Sequence, residues 1–304
     1  MPEVPLHLEC LAMRSLFVGS DGVRNGWRMA GWLAITSLTL MGLYALRTLL
    51  SDATRAFASE SALGFIGVLA TTWLFLRWEH DTLSARGFAL SARTARELGL
   101  GIVGGMVAVG IVTLCGWLLG GFHWAWSPNA SARTVLMSAG GMLAVGLFEE
   151  AFFHGYAFQR AIRGIGPRWA QLLIAALFVL AHPFSGDNPR SIVVIAMINT
   201  FLASLIFGAC YLRTRNLAVS VGSHMGWNWT LECLGFGVSG HAPTGLWTTV
   251  LHGAPGWLTG GSYGLEGSVI TFGVLALTCA ALMRWKHPRE EVSAPASTPV
   301  QPAL

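Results

Sequence analysis

Gly146-Leu147-Phe148-Glu149-Glu150-Ala151-Phe152-Phe153-His154-Gly155 places two adjacent carboxylates inside an apolar run, with a histidine four residues after the second. Residues 135–148, immediately upstream, carry no charge. A bare carboxylate in hydrocarbon costs several kcal/mol, so an acid in such a run faces a cavity and generally has a function. The rest of the chain can be read by asking what supports this pair.

Of the 304 residues, 53% are hydrophobic and only 11% are charged. A soluble domain carries about 25% charged residues. With a mean hydropathy of +0.56, the chain reads as all-α: a polytopic transmembrane helical bundle in a lipid bilayer. No hydrophilic block is long enough for a second domain. The formal net charge of +4 is no nucleic-acid signal, because the arginines are spread over connections rather than clustered. The five cysteines (Cys10, Cys115, Cys210, Cys233 and Cys279) show no CxxC or Cys/His zinc spacing and read as buried thiols. Glu3 and Glu9 precede the first basic residue, so the start does not read as a cleaved signal peptide.

A span needs about 20 apolar residues. Eight candidates appear, at about 29–46, 62–76, 98–119, 135–158, 169–182, 191–212, 217–234 and 268–285. Eight spans divide the 19 Lys and Arg very unevenly, leaving only Arg47, Arg55, Arg133 and Arg190 on the second side. The positive-inside rule then predicts that both termini are cytoplasmic. The expected order is an N-terminal arm at 1–28, a transmembrane domain at 29–286 and a disordered cytoplasmic tail at 287–304, rich in Pro, Ser and Ala. The connection 79–97 mixes charges with Leu83, Phe88 and Leu90, and reads as a surface amphipathic segment or a polar linker. Gly101, Gly104, Gly105 and Gly140-Gly141 are expected at close helix contacts. Residues 235–267, with no Lys or Arg, read as an outer loop or a partly re-entrant segment.

Four polar groups besides Glu150 interrupt the late spans: Glu149, His182, His224 and Asn228. The last two are four apart and share a helix face. Counted from the nearest basic anchors at about 1.5 Å per residue, Glu149 lies ~16 Å deep, His182 ~21 Å, His224 ~14 Å and Asn228 ~20 Å. All four fall in one band near mid-membrane, where antiparallel helices bring them around one cavity. Glu232, His252 and Glu266 read as loop or helix-end residues, with Glu266 a packing anchor.

A carboxylate in an apolar site acts as a general base near neutral pH. Histidine orients water or carries protons, and a histidine with an asparagine can donate to an oxyanion. That set suits hydrolysis of an amide by activated water, with a peptide or membrane protein as substrate. No GxSxG or HExxH is present. A zinc ion at Glu149, His182 and His224 stays open on spacing alone. Two other classes also stay open: a non-catalytic protein of the same fold acting in peptide immunity or scaffolding, and a proton-coupled transporter with a broken span at Pro183.

At these residues the sequence resembles the CAAX prenyl protease 2 family, also called the CPBP or Abi intramembrane glutamic endopeptidases. That family carries the motifs EExxxR, FxxxH and HxxxN. Here they read Glu149-Glu150-Ala-Phe-Phe-His154, Phe178-Val-Leu-Ala-His182 and His224-Met-Gly-Trp-Asn228. The resemblance implies a catalytic core at about 133–234, in spans four to seven. It implies Glu149 as general base, His182 holding the water, and His224 with Asn228 as the oxyanion site. Glu150 and His154 become supporting residues. His154 departs from the family's arginine, and a histidine pairs with Glu150 as a cation only when protonated. The excess of Arg over Lys, with abundant Ala and Gly, suggests a GC-rich bacterial genome and so an inner-membrane location.

Overall fold

Helices form where the apolar runs predict them, because a backbone in hydrocarbon must satisfy its own N–H and C=O groups. The computed structural model describes residues 17–284, apart from 21, 58, 129, 185–187, 242, 244 and 252. The expected disordered tail and His252 lie outside the described residues. In order, the elements are the β1–β2 hairpin (Val18–Gly19, Gly22–Val23), α1 (Asn25–Thr48), α2 (Asp52–Phe57), α3 (Glu60–Trp78) and α4 (Ala92–Leu118). Then come β3 (Phe122–Trp126), α5 (Ala132–Glu149), a π-helical turn (Glu150–Gly155), α6 (Tyr156–Ala181), α7 (Arg190–Thr214) and α8 (Ala218–Cys233). β4 (Trp247–Leu251), α9 (Gly256–Thr259) and α10 (Val269–Arg284) complete the described chain.

Serine caps start three of the long helices. Ser59, Ser91 and Ser131 accept the N–H groups of Ala62 (3.2 Å), Thr94 (3.1 Å) and Thr134 (3.1 Å). Among the described residues, five helical runs are long and apolar enough to cross a membrane. The longest, Ala132–Ala181, is 50 residues and breaks at Gly166-Pro167. Pro167 has no N–H and forbids helical geometry at the residue before it. Gly166 takes φ 79°, ψ 162°, a conformation open to glycine. The chain therefore reverses there, and the return limb carries His182 back to Glu149. Among the described residues, dividing this run in two and adding α8 and α10 gives a count approximately consistent with the eight spans expected.

Helices α4 and α8 pack backbone to backbone. A Cβ on Gly101 or Gly105 would lie 2.4 Å from the carbonyl oxygen of Val219 or Ser223, and one on Gly222 or Gly226 only 2.2 Å from that of Leu98 or Ile102. Small residues permit this approach. The expectation for Gly104, Gly140 and Gly141 is corrected: a Cβ there meets nothing within 4 Å. Gly101 and Gly105 share a buried face by their i, i+4 spacing, whereas Gly104 is exposed.

In the 79–97 connection Thr82, Ser84, Ala85 and residues 90–93 are exposed, while Glu79, Leu83 and Phe88 anchor it inward. Glu79 is nearly fully buried, accepting from Tyr156 Oη (2.6 Å) and Arg28 Nη1 (3.2 Å) and pairing with Arg160. Leu83 and Phe88 pack on the main core, and Leu90 projects outward. At the opposite end, β4 of the 235–267 segment pairs antiparallel with β3, from Phe122↔Leu251 to Trp126↔Trp247. Trp124 Nε1 and Thr249 Oγ1 both donate to the Leu234 carbonyl, which ties this cap to the end of α8.

Candidate active site

The π-helical turn begins at Glu150, immediately after Glu149. Single π turns within α-helices are frequent at functional sites, because the widened turn redirects side chains. Here the two consecutive carboxylates reach opposite sides of one ring. His224 Nδ1 donates to Glu150 Oε1 at 2.9 Å, while His224 Nε2 stands 3.8 Å from Glu149 Oε2. His182 Nε2 approaches the same Glu149 oxygen at 3.7 Å. Both gaps exceed a direct hydrogen bond, so three groups converge on one point without bonding each other. Among the described residues, Glu149 Oε2 has no hydrogen-bond partner.

The imidazoles are oriented by what lies behind them. His182 Nδ1 donates to the Phe178 carbonyl (2.7 Å), which leaves its Nε2 lone pair facing Glu149. Phe207 stacks on His224 with centroids 4.9 Å apart and planes 8° apart. Phe178 lies 4.4 Å from the His182 ring. Asn228 follows one turn after His224 on α8, and among the described residues its side chain makes no hydrogen bond.

The two glutamates differ in exposure. The Glu149 side chain is 21% exposed and Glu150 is 0%. Glu150 Oε2 lies 2.9 Å from His154 Nδ1, a charge contact out of line for a hydrogen bond. His154, itself fully buried, meets the Ser204 carbonyl (3.1 Å) and hydroxyl (3.2 Å) with Nε2. A carbonyl only accepts, so a proton on Nε2 satisfies it. His154 thus links Glu150 of the π turn to Ser204 of α7.

A cavity of about 980 Å³ collects Glu149, His182, His224 and Asn228, with Phe148, Phe152 and Phe153 among its apolar walls. The structure thus brings all four residues into one space, and Glu150 and His154 behind them. It adds residues that sequence reasoning placed elsewhere or passed over. Glu232, expected at a helix end, is buried in the last turn of α8, lines the cavity and accepts from Ser138 Oγ (2.7 Å). Glu266, expected as a packing anchor, also lines it, as does Asn199 of α7. An asparagine inside an apolar span was the available signal for Asn199.

The zinc alternative can be tested on the donor set. Ligands about 2.0–2.1 Å from a tetrahedral ion stand roughly 3.3 Å apart. The Glu149–His182 and Glu149–His224 separations of 3.7 and 3.8 Å are wider. Among the described residues, no three His, Cys, Asp or Glu side chains form a metal-holding group. Both pairs thus stand more open than an ion-bound set would hold them.

Residues 128–230 match the Rce1-like family of type II CAAX prenyl endopeptidases. The Rce1-like segment runs from the start of α5 into α8 and holds Glu149, Glu150, His154, His182, His224 and Asn228. It is the family that the three motifs resemble. Its fold is of the CAAX-type intramembrane protease, and the apolar helices make the chain an integral membrane protein. At the level of the family, the Rce1-like segment is of protease type. No curated protein matches the chain.

Proposed function

We propose that the protein is an intramembrane endopeptidase that hydrolyses peptide bonds with a water activated by Glu149. The observation carrying this reading is the convergence of His182 and His224 Nε2 on the unbonded Glu149 carboxylate oxygen inside an apolar cavity. Glu149 takes a proton from water as the oxygen adds to the scissile carbonyl carbon. His182, with its Nε2 lone pair turned inward, accepts the water's other proton in a hydrogen bond. The oxyanion is met by the Asn228 amide and by His224, whose protonated form is balanced by Glu150 behind it. The C–N bond then breaks, and the proton held by Glu149 passes to the leaving amine. No covalent acyl-enzyme forms.

The substrate class is a peptide or membrane-protein segment entering from the bilayer. Low charge and an apolar cavity wall favour such a segment over a soluble chain. The arginine distribution supports cytoplasmic termini, and the composition supports a bacterial inner membrane. Reporter fusions at residues 80 and 130 test the orientation, with only the first expected on the cytoplasmic side. Comparative peptidomics of wild-type and Glu149→Ala strains tests the activity. Products present in the wild type and absent from the variant are expected. An unchanged peptide profile sinks the proposal and favours a non-catalytic role for the same fold.

A further inference from the structure

Glu266 is a cavity acid that the proposed hydrolysis leaves unused, and it lies beyond the Rce1-like segment. Its carboxylate is held by two neutral donors. Trp227 Nε1 donates to Oε1 at 3.0 Å, and the Ser239 N–H donates to Oε2 at 2.6 Å. These bonds orient the group, while burial raises its pKa and so disfavours the charged form. Among the described residues, no Lys or Arg pairs with it. A positively charged ligand brought against this carboxyl group relieves the desolvation cost of ionising it.

A second acceptor stands beside it. Asn199 is 2% exposed and lines the same cavity. Its Nδ2 donates to the Glu266 carbonyl (2.7 Å) and the Ser268 carbonyl (3.0 Å), which fixes the amide and leaves Oδ1 without a partner. Trp227, which grips Glu266, is adjacent in sequence to Asn228. Both acceptors line the cavity that also holds Glu149, His182, His224 and Asn228.

We propose that Glu266 and Asn199 form a recognition subsite for a cationic side chain, lysine or arginine, near the scissile bond of the peptide substrate. The inference rests on the endopeptidase reading for the word substrate, but not for binding. The charged head meets Glu266, and the aliphatic stem lies along the apolar wall.

The test uses full-length Glu149→Gln protein in nanodiscs and two capped apolar peptides, identical except for a central lysine or norleucine. The lysine peptide binds about tenfold tighter, and adding Glu266→Gln removes the preference. Equal affinities, or a preference that survives Glu266→Gln, overturn the proposal. If the double variant does not fold, dicyclohexylcarbodiimide joins the bound lysine amine to the nearest carboxylate, the carbodiimide taking up the water lost. Mass spectrometry then finds the cross-link at Glu266; a cross-link only at Glu232 or at a surface acid overturns the subsite. Lysine preference in a wild-type protein that cleaves nothing overturns the endopeptidase reading alone.

Discussion

His224 is clamped by Glu150 at Nδ1, 2.9 Å away, while its Nε2 faces the preceding glutamate, Glu149, across 3.8 Å. One imidazole thus bridges two consecutive carboxylates and assigns them different tasks. Glu150, fully buried, positions the ring. Removing it leaves His224 and His154 without their shared carboxylate partner. Glu150→Ala is expected to cost roughly 3–5 kcal/mol of stability, the range for breaking a buried pair. Thermal unfolding in detergent measures this. Glu150→Gln keeps the shape and one acceptor, so it should fold but cleave poorly, and full activity in that variant would contradict the positioning role.

Asn228 makes no hydrogen bond among the described residues and lines the cavity one turn from His224. A donor reserved for an oxyanion acts in the transition state. Asn228→Ala should lower kcat about 10²–10³-fold with little change in KM, the cost of one lost oxyanion donor. A change confined to KM would assign Asn228 to ground-state binding instead.

His154 sits behind Glu150, which it faces together with Ser204 and the rings of Phe158, Phe178 and Phe207. His154→Ala removes that contact from a fully buried position and should lower the unfolding temperature in detergent and slow cleavage. His154→Arg, which sets a permanent cation against the same carboxylate, should retain cleavage. Full activity in the alanine variant would refute the supporting role.

The α4–α8 contact sets where His224 and Asn228 stand. A Cβ at Gly226 would come within 2.2 Å of the Ile102 carbonyl oxygen, while one at Gly110 meets nothing within 4 Å. Gly226→Ala should cost about 1–3 kcal/mol through overpacking and reduce cleavage by displacing α8. Gly110→Ala, on the same helix pair, should leave both unfolding temperature and cleavage unchanged.

Zinc offers a separate check, because the Glu149, His182 and His224 donors stand wider than a tetrahedral ion requires. Elemental analysis of the purified protein should find well under one zinc per chain, and cleavage should persist in a chelator. Stoichiometric zinc lost together with activity would reverse this reading.

Much of the architecture was legible along the chain because hydrocarbon imposes it. A bilayer forces apolar helical spans of fixed length and makes each buried charge conspicuous. That exposed Glu149, His182, His224 and Asn228 in one depth band, with Glu150 beside the first, and Gly166-Pro167 is itself a local steric break. What depends on rotation about a helix axis was not legible. The π turn that sends adjacent glutamates to opposite nitrogens of His224 is a matter of side-chain direction, as is the choice of Gly101 and Gly105 over Gly104 for contact. Glu79, Asn199 and Glu266 acquire partners from distant spans, which no local spacing encodes. The sequence by itself determined a helical membrane bundle with acids and histidines at mid-depth. Only the tertiary structure decided which carboxylate is left unbonded and which is locked, because that follows from distances between helices far apart in the chain.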